Sequence, residues 1–205
     1  VLNMDLKDFF PSITQKAVFN IFYQKGYTKS VSYYLAKLLT KDGVLPQGSP
    51  ASPKISNIVA LHLDKRLSEL AKCYKATYSR YADDLTFSGA SNIKNMIPII
   101  TQIIHEEAFF VNEKKTRYSY YFQKQEVTGL IVNKKVSVPK EYLRELNKEI
   151  YYCKKFGVSS HLTKTENHKS FFKEYMYGKA YFVNMIDKEL GQKILCELDT
   201  ILWEY

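Results

Sequence analysis

The chain has 205 residues, of which 45% are hydrophobic, 15% aromatic and 25% charged, and its formal net charge is +9. This balance excludes a disordered or low-complexity chain, and the length suffices for one large domain or two small ones with a proper core. No apolar run reaches the roughly 20 residues of a membrane span, no signal-peptide pattern opens the chain, and the excess of Lys and Arg points to a polyanionic partner or to plain solubility.

Leu2, Met4 and Leu6 alternate with Asn3 and Asp5, the period of a half-buried strand, which Pro11 is expected to end. The chain opens inside this strand without a start methionine or a leading cap, so it is expected to be a piece of a longer protein. Residues 15–25 and 29–41 read as two helices separated by Gly26. The stretch GVLPQGSPASP, residues 43–53, carries two glycines and three prolines and reads as an irregular loop. It feeds a helix of about 20 residues with Ile55, Val59, Leu63, Leu67 and Leu70 at helical spacing. A hairpin comes next, then an apolar helix to about residue 107, started late or kinked by Pro98. Residues 116–138 read as short strands around a Lys-Gln turn and Gly129. From Pro139 the chain reads as helical, with Leu143, Leu146, Ile150 and Cys153 in one stripe, a polar linker over 157–168, and further helices over 167–186 and 188–204. Cys73, Cys153 and Cys196 have no metal-ligand spacing and read as buried small hydrophobes in a reducing, cytoplasmic setting. His62, His105, His161 and His168 are not read as ligands.

The hairpin YSRYADDLTFSG, residues 78–89, sets Asp83 beside Asp84 among residues that favour strands. For an arbitrary Asp-Asp pair a turn role is the commoner reading. Here no glycine follows, and Arg80 and Tyr81 precede. Asp5 lies about 80 residues away, yet neighbouring strands of one sheet can bring it to the same place. Three converging carboxylates repel unless cations lie between them. An oxygen-only donor set suits Mg²⁺, and two such ions about 4 Å apart can stabilise an in-line phosphoryl displacement.

YADD after an aromatic strand, LPQGSPASP before a long helix and DLKDFFPSI after a strand together resemble the palm of reverse transcriptases. RYADDLTFSG, NEKKT at 112–116 and VTGL at 127–130 are most similar to the bacterial retron type. The resemblance covers essentially the whole chain, and the fingers, which precede the first aspartate in complete enzymes, are expected to lie outside this sequence. It implies an α+β fold: a palm of antiparallel sheet with packed helices over 1–138, followed by an all-α thumb over 139–205. It further implies an RNA-directed DNA polymerase that transfers deoxynucleotides to a primer hydroxyl on an RNA template. Asp5 and Asp83, with the Leu6 carbonyl and less directly Asp84, would hold two Mg²⁺ ions, and Lys115, with Lys114 as the alternative, would protonate the leaving pyrophosphate. Lys7, Asp8, Phe9, Phe10, Gln47 and Gly48 would surround the incoming nucleotide, Phe10 as a steric gate against ribonucleotides. On composition alone both phenylalanines read as core, and Gln47-Gly48 reads equally as helix-initiating punctuation. Tyr81, Val127, Thr128, Gly129, Lys140, Arg144 and Lys148 would meet primer or RNA, as would some of Lys154 and Lys155. A structured non-coding RNA and an effector protein of anti-phage defence are the further partners implied, and no membrane. A group II intron-like or other domesticated bacterial reverse transcriptase, or an inactive nucleic-acid-binding fragment, is the alternative.

Overall fold

The structure, a computed structural model, describes residues 1–89, 91–165 and 170–203, so that His168 lies outside the described residues. The chain divides into two compact units, Val1–Thr128 and Gly129–Tyr205.

The first unit is built on a four-stranded sheet in the order β2-β3-β1-β4, from β1 (Leu2–Asp5), β2 (Ala76–Tyr81), β3 (Asp84–Gly89) and β4 (Arg117–Tyr118). Every neighbouring pair is antiparallel. The alternation along β1 decides how the sheet is covered. Leu2, Met4 and Leu6 point to one side, where they join Leu85 and Phe87 in a core with helical Leu63, Leu67, Ile100 and Ile104. The helices of this unit are α1 (Phe9–Ser12), α2 (Gln15–Gln24), α3 (Lys29–Leu39), α4 (Ser52–Val59), α5 (Leu61–Cys73) and α6 (Ile97–Glu106). Thr14 and Thr28 cap α2 and α3, each side chain accepting a backbone N–H from three residues on.

Several local expectations change. Pro11 does not end β1. The chain has already left the ladder, and Pro11 sits in the first turn of α1, where its missing N–H costs nothing. The long helix after the loop is interrupted for one residue at Ala60 (φ −78°, ψ 0°). Hydrogen bonds from Ala60 N–H to the Ser56 carbonyl and from Asp64 N–H to the Ala60 carbonyl bridge the break, so the apolar stripe continues. Pro98 is the second residue of α6, which starts late rather than kinking.

A short hairpin of β5 (Glu126–Val127) and β6 (Leu130–Ile131) turns at Thr128 (φ +46°) and Gly129 (φ +80°). The second unit then packs α7 (Lys140–Phe156), α8 (Val158–Lys164), α9 (Phe172–Ile186) and α10 (Lys188–Asp199) around Leu146, Ile150, Met176, Val183 and Ile194. Among its described residues, 157–165, the expected polar linker is thus largely helical. Gly157, at φ +81°, ends α7, and Val158 and His161 then turn inward three residues apart, enough to anchor a short helix. Only Cys153 of the three cysteines is buried; Cys73 and Cys196 are exposed because each falls outside its helix's apolar stripe. Among the described residues no helix is long and apolar enough to cross a membrane.

Gly191 shows how closely α9 and α10 approach. A Cβ placed there would lie 2.2 Å from the Cα of Asn184, backbone that cannot move aside. Gly191→Ala is therefore expected to destabilise by about 1–3 kcal/mol or more through overpacking. Thermal unfolding measures it, and an unchanged melting temperature would show that the two helices are not held at this distance.

Candidate active site

Asp5 ends β1, Asp84 begins β3, and the antiparallel register sets them directly opposite each other. Cross-strand partners share a face. Asn3, Asp5, Thr86 and Asp84 therefore lie on the side of the sheet away from Met4, Leu85 and Phe87. Tyr81, which faces Asp84 from β2, belongs to the same side and is 73% exposed. Ala82 and Asp83 form the two-residue loop. Ala82 takes φ +52°, a place that tight hairpins usually give to glycine. The Asp83 carbonyl accepts the Leu6 N–H at 2.9 Å, which ties the tip to the end of β1.

The remaining charge comes from the other flank. Asn112 N–H donates to the Asp5 carbonyl at 2.8 Å and holds the 3₁₀ turn Glu113–Lys115 beside β1. Lys115 Nζ then donates to Asp5 Oδ2 at 2.9 Å, pairing a largely exposed ammonium with a buried carboxylate. Burial, then the charges of Asp83 and Asp5, push the Asp84 carboxyl above the usual range, with Lys115 opposing. The hydrogen bond to Asp5, then its charge, hold the Lys115 ammonium above its ordinary value, and Asp83 and Asp84 add to this. Three carboxylates and one ammonium thus share a single field.

Among the described residues no group of three or more His, Cys, Asp or Glu is arranged to hold a metal ion as it stands. The donor chemistry nevertheless fits a hard divalent cation. The donors are all oxygen, and Asp84 is destabilised by two neighbouring negative charges against one positive.

Other residues singled out by sequence fall in different surroundings. Phe9 is 2% exposed and belongs to the core, whereas Phe10 is half-buried at its edge, the two rings 5.4 Å apart. Lys7 and Asp8 are exposed between Leu6 and α1, and Asp8 has a left-handed backbone (φ +49°). Gln47 and Gly48 are exposed, and Gly48 takes φ +89° with nothing within 4 Å of where a Cβ would be. It is conformation, not close approach, that calls for glycine there. Lys114 is exposed. Val127, Thr128 and Gly129 make up the hairpin turn that ends the first unit and begins the second. In the second unit Lys140, Arg144 and Lys148 recur every four residues along α7, all exposed. Lys148 also lines a cavity of about 360 Å³ with Tyr152, Lys164 and His161. His161 is buried and lies 2.6 Å from Glu149 Oε2, while His62 is 2.7 Å from Glu107 Oε1.

Sequence reasoning missed one network. Arg80 lies on the helix side of the sheet, its side chain 5% exposed. Its Nε and Nη2 donate to the two carboxylate oxygens of Asp64 on α5, at 2.7 and 2.6 Å. Its Nη1 donates to Asn57 Oδ1 on α4 and to the Ala82 carbonyl, both at 3.0 Å. Tyr78 OH donates to the same Asp64 at 2.8 Å. Burial works against the Arg80 charge, but Asp64's hydrogen bonds and charge outweigh it and raise the guanidinium above its ordinary value. Strand alternation held the clue: Tyr78 and Arg80 share the apolar face, and a cation there demands a buried partner.

The fold is that of a reverse-transcriptase palm followed by a helical thumb. It matches the structure of telomerase from Candida albicans, solved with a TWJ fragment of telomeric RNA, at a TM-score of 0.51 and 14% identity over 96% of this chain and 47% of that one. Residues 1–168 match the family described as reverse transcriptase (RNA-dependent DNA polymerase), and the chain belongs to that family. It is similar to the retron Ec86 reverse transcriptase of Escherichia coli, 37% identical over 100% of this chain, and to the retron Mx162 reverse transcriptase of Myxococcus xanthus, 32% identical over 97%. The chain spans 61% and 47%, respectively, of the lengths of those two proteins.

Proposed function

We propose that this chain carries the catalytic centre of a retron-type RNA-directed DNA polymerase, its palm over 1–138 and its thumb over 139–205. The observation that carries the reading is the juxtaposition of Asp5 and Asp84 across β1 and β3, with Asp83 at the tip and Lys115 paired to Asp5. Asp5, Asp83 and Asp84, with the Leu6 carbonyl, would hold two Mg²⁺ ions, which when bound neutralise charge in an in-line phosphoryl displacement. Lys115, its ammonium held above its ordinary value by the hydrogen bond to Asp5, would give its proton to the departing pyrophosphate. Phe10, half-buried four residues beyond Leu6, would act as the steric gate at the deoxynucleotide sugar. Gln47 and Gly48 would offer an amide and an open backbone to the same nucleotide, as would the exposed Lys7 and Asp8. Tyr81 and the Val127–Gly129 turn would meet the primer terminus. The exposed Lys140, Arg144 and Lys148 row suits a nucleic-acid backbone, where contacts position rather than specify.

Similarity to retron enzymes supports a structured non-coding RNA as template and primer source. An effector protein, a role in anti-phage defence and a cytoplasmic setting follow from that resemblance alone.

Primer extension on an RNA template with and without Mg²⁺ tests the reading. Wild type is expected to extend only with the cation, and Asp83→Asn to lose extension while keeping its circular dichroism spectrum. An Asp83→Asn chain that extends at the wild-type rate sinks the proposal.

A further inference from the structure

Resting on the reading of Asp5, Asp83 and Asp84 as cation ligands, we propose that Arg80 is the positioning residue that sets their geometry from beneath the sheet. Arg80 never reaches the carboxylates: it pairs with Leu85 in the β2–β3 ladder and so points to the helices, while Tyr81 and Asp84 face the other way. What it reaches is the backbone of the Ala82–Asp83 loop, which carries Asp83 and leads directly into Asp84.

Three observations converge on this role. The first is strain. Ala82 takes a left-handed conformation that is unfavourable for a non-glycine residue, so the loop keeps this shape only if its surroundings hold it. Arg80 Nη1 supplies a restraint at the Ala82 carbonyl, one residue before Asp83. The second is rigidity. The guanidinium is fixed by a two-pronged bond to Asp64 on α5 and by Asn57 on α4, so the loop is referenced to two helices rather than to a swinging side chain. The third is reach. The Arg80 guanidinium stacks over the Phe9 ring at 5.7 Å, and Phe9 in turn contacts Phe10. One buried cation therefore touches both the hairpin tip and the segment that leaves β1 after Asp5.

A lysine cannot reproduce this. It carries the charge but not the fork, and cannot bind Asp64, Asn57 and the Ala82 carbonyl together. Loss of an outer partner of a cation ligand typically weakens binding about 10–100-fold.

The test is Mn²⁺ binding, followed by electron paramagnetic resonance of the free ion, on the 205-residue chain and its Arg80→Lys, Asp64→Asn and Asp83→Asn variants. Melting temperatures and primer extension are read in parallel. Arg80→Lys is expected to weaken Mn²⁺ binding at least about tenfold, to lower kcat and to leave the KM for deoxynucleotide near wild type. Asp64→Asn, which keeps its shape but loosens the guanidinium, should show a smaller loss of the same kind. Wild-type Mn²⁺ affinity in a folded Arg80→Lys chain overturns the inference and leaves the proposed function standing. If Arg80→Lys fails to fold, Asp64→Asn decides in the same way. If Asp83→Asn binds Mn²⁺ as wild type does, the carboxylate reading fails and the inference falls with it.

Discussion

Asp5→Asn is expected to remove primer extension by at least about a thousandfold, since several kcal/mol of transition-state charge stabilisation are withdrawn at about 1.4 kcal/mol per tenfold. The fold should survive. Asparagine has the same shape, and the ladder at this position runs through the backbone, from Asn112 N–H to the Asp5 carbonyl at 2.8 Å. The released Lys115 side chain is 60% exposed and can turn to solvent. Removing one of the two carboxylates that push Asp84 upward also relieves repulsion, so the metal-free variant should melt no lower than wild type. Folded and inactive is therefore the signature of a catalytic Asp5, and activity within tenfold of wild type would place the chemistry elsewhere. A variant that unfolds would assign Asp5 a structural role through its pairing with Lys115.

Phe87→Ala is expected to cost about 3–5 kcal/mol, a large part of the 5–15 kcal/mol that holds a typical domain together. Phe87 is fully buried on β3, an interior strand of the sheet, opposite Leu2 on one side and Tyr78 on the other, its ring 5.0 Å from that of Tyr78. The sheet cannot close over the lost volume without moving strands that also carry Asp5 and Asp84. Leu38→Ala provides the contrast. That side chain is 82% exposed, so its removal should stay within about 0.5 kcal/mol. Urea unfolding of the two variants decides the point, and a Phe87→Ala cost no larger than that of Leu38→Ala would mean this face is not the core.

How much was legible in advance differs from element to element. The alternation of β1 and the stripe of Ile55, Val59, Leu63 and Leu67 are local periodicities, and both appear in the structure because burial of one face follows directly from the period. The interruption at Ala60 and the helix over Val158–Lys164 were not legible. No proline or glycine marks the first, and the polar composition of 157–168 masks the second, where Val158 and His161 turn inward and Leu162 packs beside them.

The amino-acid order by itself determined the residue types that can bind a hard cation, their place at strand ends, the family motifs and the division between a mixed α/β half and a helical half. Those follow from neighbours along the chain. Tertiary structure alone decided that Asp84, rather than Asp83, lies opposite Asp5, that Lys115 closes on Asp5 across 110 residues, and that Arg80 is buried on Asp64 beneath the loop. Register is a property of paired strands: a slip of one residue would send every side chain to the opposite face. No single segment carries that information.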